Sequence, residues 1–172
     1  MTRALTSAII IVCFVTCSHK NTQRGMIYFN DFETIKGWND NYLSKRPTHS
    51  GLYSNCLDST HSYGSTCRIP FREVWSKPIK KIKINFWAYY TSLECRAKFA
   101  LDIKNSKQEQ IFWISNDMES QVTEAKKWTH VFFEFTLVKK DINLPDYIVS
   151  LYPWNQTKKE IYIDDITLEF VQ

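Results

Sequence analysis

Several motifs that identify enzymes and metalloproteins are missing from this 172-residue chain. It contains no GxSxG elbow, no HExxH motif, no phosphate-binding loop and no CxxC pair. The four histidines are dispersed along the chain and give no sign of a zinc site. We therefore expect no catalytic residues and interpret the protein as a non-enzyme.

Helix signals and long apolar runs are scarce as well. The one window with helical character, residues 118–128, is short and mostly polar. The apolar run Ala4 to Val15 is too short to cross a bilayer as a stable anchor, but it has the length of a signal-peptide core. Because low-complexity linkers and internal repeats are also missing, we expect one domain with a single core.

The apolar run ends at Cys17, and polar residues follow it. This order resembles a bacterial lipoprotein signal, in which the cysteine becomes the first mature residue and carries acyl chains such as palmitate. The chain departs from that pattern at Phe14 and Thr16, where such signals usually carry Leu and a small residue. We predict a signal peptide over residues 1–16, cleaved before the cysteine, and a polar tether over residues 17–25. Ordinary secretion and a retained anchor are the alternatives.

All three outcomes place the domain outside the cytoplasm. We predict a lipid-anchored protein of the cell envelope, at the outer membrane or cell surface, or a secreted protein if the cysteine is not lipidated. The chain carries 22 Lys and Arg against 18 Asp and Glu, and most basic residues are scattered among acidic ones. The basic cluster Lys77 to Lys83 is typical of a solvated strand edge, so we expect no nucleic-acid partner.

Three cysteines follow Cys17, an odd number for an oxidising compartment. Cys56 and Cys67 flank a turn-rich segment that would bring them together, so a disulfide between them is one expectation. Cys95 would then be a buried or free thiol.

The apolar residues indicate strands. Aromatic residues make up 15% of the chain, and apolar positions mostly recur at every second residue. Between Ile82 and Ala88, for example, apolar residues alternate with Lys83, Asn85 and Trp87. Strands of this length, separated by polar loops, predict an all-β protein with an antiparallel β-sandwich rather than parallel βαβ units.

Carboxylates interrupt the first and last predicted strands. In the segment Glu160 to Phe170, strict alternation places Asp164 on the face of Ile166 and Leu168, where an ionised carboxylate is costly without a partner. Glu33 lies near the end of the first strand. If the two strands are neighbours, a hard cation such as Ca²⁺ could bind both carboxylates. The alternative is that the aspartate caps a loop through backbone N–H groups, without a metal.

An ordered set of motifs then resembles a known family. NDFE, THSGLYS, KKIKINFWAYY, IVSLYPWN and IYIDDITLEF occur in the order found in galactose-binding-like jelly-roll carbohydrate-binding modules, which bacteria append to polysaccharide-degrading enzymes. The resemblance covers nearly all of residues 26–172, which we predict to be one jelly-roll domain.

The resemblance also implies a structural calcium ion. Its ligands would be the glutamate of the FE pair, an aspartate of the terminal DD pair, and main-chain carbonyls near the first pair and the HSG segment. The corresponding residues here are Asp31, Glu33, Ser50, Asp164 and Asp165. Asp165 is the alternative to Asp164, because a local bulge would exchange the two faces of the strand. The HSG segment departs from the family because it contains no acidic residue.

Candidate sugar-binding residues follow from the chemistry of pyranoses. Their C–H faces stack on Trp or Tyr, and their hydroxyls need amide or charged partners. The candidates lie mainly opposite the aliphatic faces of the predicted strands: Asn85, Trp87, Tyr89, Tyr90, Trp113, Tyr152, Trp154 and Asn155. We expect Trp38, Trp75 and Trp128 to be structural.

The sequence therefore favours a non-catalytic glycan-binding module, anchored by lipid at the surface or in the periplasm. Its expected partners are a polysaccharide or oligosaccharide, the membrane through the N-terminal lipid, and a glycan-processing enzyme. A surface protein that binds a protein partner through the same sandwich is the alternative. A small jelly-roll lyase or hydrolase is disfavoured, because no carboxylate has an acid or base neighbour in a recognisable context.

Overall fold

Two antiparallel sheets pack face to face in the computed structural model, which describes residues 26–34, 38–39, 42–74, 77–137 and 144–172. The strands are β1 Met26–Asn30, β2 Trp38–Asn39, β3 Leu43–Ser44, β4 Ser54–Leu57, β5 Thr66–Pro70, β6 Lys81–Tyr90, β7 Ala97–Lys104, β8 Gln110–Asp117, β9 Trp128–Thr136, β10 Ile148–Asn155 and β11 Ile161–Val171. Helical turns occur at α1, Phe71–Val74, and at a 3₁₀ turn, Met118–Ser120. The predicted antiparallel β-sandwich is confirmed.

The predicted signal peptide, Cys17 with its tether, and Trp75 all lie outside the described residues. Within the described ranges, no helix combines the length and apolar character needed to cross a membrane.

Strand β11 is the hub of sheet A, whose order is β3-β4-β11-β6-β9, with β1 also paired to β11. The first half of β11 pairs with β4 and the second half with β1, so that Met26 lies opposite Phe170 and Asn30 opposite Ile166. The prediction that the first and last strands are neighbours is therefore confirmed. Sheet B has the order β2-β5-β10-β7-β8.

The core fills the space between the two sheets. On β6, Ile82, Ile84 and Phe86 are fully buried, and the residues between them are partly exposed, as the alternation predicts. The Phe86 ring lies 5.1 Å from the ring of Phe99 on sheet B, measured between centroids. Each such side chain contributes about 1.5–3 kcal/mol through burial of apolar surface.

The structure contradicts the disulfide expected between Cys56 and Cys67, because the three cysteines of its described residues are free thiols. Cys56 lies opposite Tyr162 in sheet A, on the face turned away from the core. Cys67 belongs to sheet B and lies in the core, where burial raises its pKa to about 12. Side chains on different sheets and different faces cannot be bridged without moving the backbone. Cys95 is a buried thiol, as expected.

Candidate functional site

The β3–β4 loop, residues 45–53, is anchored at one end by Glu33. Its Oε1 accepts hydrogen bonds from the backbone N–H groups of Leu52 (2.6 Å) and Tyr53 (2.8 Å). Gly51 has φ +56°, a left-handed conformation that residues with a Cβ rarely adopt. A Cβ added there would also collide with Glu33 Oε1. Only glycine fits this position without strain.

Asp164 and Asp165 hold the same loop from the other side. Asp164 Oδ2 accepts hydrogen bonds from the N–H groups of His49 (2.8 Å) and Ser50 (3.2 Å). Asp165 accepts a bond from Ser50 Oγ (2.7 Å) and lies 2.6 Å from His49 Nδ1. Burial raises the pKa of the Asp164 carboxyl to about 6, and the N–H donors oppose that rise. We call Glu33 and these two aspartates the carboxylate clamp.

The prediction that Asp164 faces the core is wrong, because β11 contains a bulge. Asp165 has φ +51°, and the pairing with β6 shifts register directly after Asp164. The extra residue exchanges the faces of the strand, so Ile163 before the bulge and Ile166 after it both belong to the core. Asp164 lies opposite Trp87 on the outer face of sheet A, fully buried near the β3–β4 loop to which it is bonded.

Glu33 and Asp164 accept hydrogen bonds from backbone N–H groups, the arrangement described by the alternative without a metal. Asp165 contacts the side chains of Ser50 and His49 instead. Asp31 adds another bond to the backbone, because its Oδ1 accepts the Glu33 N–H (3.1 Å). In the described ranges, no three His, Cys, Asp or Glu side chains form a metal-binding group. Each carboxylate nevertheless has about four lone-pair sites, so Glu33 and Asp164 keep acceptor capacity for a hard cation. The oxygen donors are compatible with calcium, which stays a prediction.

The candidate residues on sheet A pack against one another and against the loop. The His49 ring stacks on Trp87 with centroids 4.0 Å apart and an interplanar angle of 14°. Tyr89 packs against Trp128 at 5.5 Å. Asn85 lies on the same outer face, two positions before Trp87. Because the ring of His49 already covers Trp87, this cluster is not an open stacking surface.

Three other candidates, Trp113, Tyr152 and Trp154, meet on the outer face of sheet B. Trp113 Nε1 donates a hydrogen bond to Tyr152 Oη (3.2 Å). Tyr63 joins them: its ring stacks on Trp154 at 5.9 Å and meets Tyr152 edge-on at 5.8 Å. Tyr63 and Trp113 are 55% and 40% exposed, so their aromatic surface is open to solvent. We call these four residues the aromatic platform.

Sequence reasoning missed Tyr63, which lies outside the strands in a turn-rich segment and has no alternating neighbours. It reaches the platform through an isolated bridge to Trp154. The exposed aromatic in a Ser- and Thr-rich turn was the available signal.

Asp102 lies beside the aromatic platform with an unsatisfied carboxylate oxygen. It pairs in register with Trp113 on one side and with Ser150 on the other. Its side chain is only 10% exposed, and Oδ1 has no hydrogen-bond donor in the described part of the chain. Burial raises the pKa of the Asp102 carboxyl above its ordinary value, although Lys104 and Arg68 oppose the rise.

Charged and amide side chains border the platform. Arg68, opposite Ser150 on β5, donates a hydrogen bond to Gln108 Oε1 (2.6 Å). Lys98, opposite Trp154, forms an ion pair with Asp117. The aromatic surface therefore has polar surroundings, which suit a ligand with many hydroxyl groups.

Two predicted ligand-binding residues, Tyr90 and Asn155, do not reach the surface, so the prediction is wrong for both. Tyr90 is 1% exposed in the core. Asn155 is 2% exposed, donates to the Lys159 carbonyl (2.8 Å) and accepts the Thr157 N–H (2.9 Å). The asparagine closes the turn between β10 and β11.

No protein-family model matches this chain, and no curated protein matches it. Solved structures do match in fold. The CBM22-1 xylan-binding domain of Paenibacillus barcinonensis Xyn10C is 13% identical, with a TM-score of 0.59 over 87% of this chain and 97% of that one. The CBM22-2 xylan-binding domain of the same protein is 13% identical, with a TM-score of 0.60 over 84% of this chain and 99% of that one.

A third match is the C-terminal family 22 carbohydrate-binding module of Clostridium thermocellum Xyn10B. It is 13% identical, with a TM-score of 0.60 over 84% of this chain and 92% of that one. At 13% identity, these matches establish a shared fold and nothing about function. The predicted resemblance to jelly-roll carbohydrate-binding modules is confirmed at the level of the fold.

Gly51→Ala is expected to destabilise the fold by about 1–3 kcal/mol, because it strains the backbone and displaces Glu33 from the loop. Urea denaturation would show a lower midpoint than wild type. Ser59→Ala, in another exposed turn, is the matched control and should stay within about 0.5 kcal/mol of wild type. If the urea midpoint of Gly51→Ala equals that of the control, an alanine fits at position 51 without backbone strain or collision with Glu33, and the prediction is wrong.

Asp102→Asn is expected to raise the urea midpoint at pH 7, because ionising a buried carboxylate weakens the folded state. The folded-state pKa lies above the ordinary value of 3.8. The cost of ionisation is therefore absent below that value and complete above the folded-state pKa. The gain over wild type should shrink as the pH falls toward 3.8. A midpoint difference independent of pH would rule out ionisation as its cause.

Proposed function

We propose that this protein is a non-catalytic glycan-binding module that captures a polysaccharide or oligosaccharide on the aromatic platform of sheet B. The observation that carries the proposal is the group of Tyr63, Trp113, Tyr152 and Trp154 beside the carboxylate of Asp102. Tyr63 and Trp113 are exposed, and Tyr152 and Trp154 are partly buried. Stacked rings supply apolar surface for pyranose faces, and Asp102 supplies an acceptor for a hydroxyl.

Xylan is the proposed ligand class to test first. Two of the domains that match in fold are described as xylan-binding, and this chain covers 97% and 99% of their length. Their identity to this chain is 13%, so the proposal depends on the chemistry of the platform as well as on the shared fold. A neutral polymer of pyranoses fits a surface whose charged residues are largely paired with each other.

The carboxylates beside the platform favour binding over catalysis. Hydrolysis of a glycosidic bond usually needs two carboxyl groups that flank the bond, one of them as acid. Asp117 forms an ion pair with Lys98, and the side chain of Asp102 is only 10% exposed. One acceptor is enough to orient a ligand, whereas the usual acid and base pair needs two.

The proposal includes the anchored state expected from the sequence. A lipid on Cys17 would hold the module at the cell envelope, where it could retain glycan for a glycan-processing enzyme. If the chain is not lipidated, the same module would act in the secreted state.

Trp113→Ala and Trp154→Ala are each expected to weaken glycan binding about tenfold or more, because each removes a stacking surface worth about 1.4 kcal/mol. Affinity electrophoresis through gels containing soluble xylan, mannan or β-glucan would measure the loss. Phe132→Ala, an exposed aromatic on the opposite sheet, is the matched control and should migrate like wild type. Wild-type migration of both platform variants would contradict the assignment. Unretarded wild type in every gel would favour a protein partner.

Calcium is expected to raise the melting temperature by about 5 °C or more at saturating concentration, if it binds the carboxylate clamp. Scanning calorimetry in calcium and in chelator would measure the shift. Glu33→Gln keeps an acceptor oxygen for the loop but removes the charge, so it should lose most of the calcium response. Identical melting temperatures in calcium and in chelator would show that the carboxylate clamp binds no calcium and only accepts hydrogen bonds from the loop.

A further inference from the structure

Apolar side chains are exposed on the outer face of sheet A, on strands β1 and β9. Ile27 is 60% exposed, Phe29 58% and Phe132 44%. The register Phe29–Thr167–Asn85–Phe132 places both phenylalanines on one rung of the sheet, three strand spacings or about 14 Å apart. We call Ile27, Phe29 and Phe132 the sheet A patch. Ile27 and Phe29 are neighbours on the outer face of β1, and Phe132 lies beyond Thr167 and Asn85 on the same face.

The charges around the patch do not oppose contact with an anionic surface. Lys83 pairs with Glu169 at 3.2 Å, and Lys81 pairs with Glu134 at 2.7 Å, so lysines neutralise the acids between the apolar residues. Exposed Lys80 directly precedes β6 at the end of the sheet where β1 begins. The end of the face where β1 begins therefore combines apolar side chains with a neutral to positive charge, and the carboxylate clamp lies farther along the same face.

We infer that the sheet A patch rests on the surface of a lipid bilayer. The inference builds on the anchored state proposed above. Cys17 precedes Met26 by nine residues, which span at most about 30 Å when extended. A lipid on that cysteine would keep β1, and with it Ile27 and Phe29, within reach of the membrane at high effective concentration. Partly inserted apolar side chains beside lysines are typical of proteins that lie on bilayers.

This contact orients the whole domain. The sheet A patch and the aromatic platform lie on the outer faces of opposite sheets, because both sets of side chains point away from the shared core. With sheet A on the bilayer, Trp113 and Trp154 face away from the membrane, toward glycan in the surrounding medium. The patch thereby supplies a second attachment that directs the binding surface outward.

The test places a tryptophan in the patch of the full chain. Phe29→Trp and the control Leu93→Trp are each incorporated into phosphatidylethanolamine vesicles with a minority of phosphatidylglycerol. Leu93 is 53% exposed and follows the Tyr90 end of β6, far from the patch. The measured quantity is the tryptophan fluorescence of each variant minus that of wild type. Brominated acyl chains quench indole on contact, so they should reduce this difference at least about twofold for Phe29→Trp and leave it unchanged for Leu93→Trp.

The outcomes separate this inference from the function proposed above. The chain could float with the vesicles while Phe29→Trp fluoresces equally in brominated and ordinary lipid. That result would overturn the membrane contact and leave the anchor in place. Failure to float would overturn both. A dimer in water that shields Phe29→Trp from a soluble quencher would assign the patch to a second copy. Xylan retention, measured without vesicles on the same variants, bears only on the aromatic platform.

Discussion

The bulge in β11 is the constraint on which the arrangement of this domain depends. One residue in a left-handed conformation, Asp165, exchanges the faces of a strand that pairs with β1, β4 and β6. Asp164 is thereby turned out of the core and bonds to the backbone of the β3–β4 loop, while Ile163 and Ile166 both stay inside. Without the bulge, a carboxylate would lie among apolar side chains at a cost of several kcal/mol.

The two outer faces of the sandwich differ because of this clamp. On sheet A the loop brings His49 onto Trp87, so this tryptophan is engaged within the protein, whereas Phe29 and Phe132 on the same face stay exposed. On sheet B, no side chain of the described residues covers Trp113 and Tyr63 in this way, and both remain exposed beside Asp102. The loop therefore closes the Trp87 region of sheet A and leaves the aromatic platform of sheet B open.

The sequence predicts what period-two alternation controls and misses what depends on three-dimensional neighbours. The buried and exposed sides of β6 and the sandwich architecture follow directly from the pattern of apolar residues. The prediction for the orientation of Asp164 is wrong because it applies strict alternation through the whole strand. The core positions shift from Ile161 and Ile163 to Ile166 and Leu168, and this change of phase is the mark that the bulge leaves in the sequence. The separation of Cys56 from Cys67 and the arrival of Tyr63 beside Trp154 depend on which sheet each segment joins, and local spacing carries no such information.

The binding face can be identified by following the indole N–H signals of the tryptophans by NMR while a xylo-oligosaccharide is added. If the aromatic platform binds the glycan, the signals of Trp113 and Trp154 on sheet B shift and those of Trp87 and Trp128 on sheet A stay in place. Shifts confined to the sheet A signals would show that the glycan binds the opposite face, and the aromatic platform would then not be the binding site.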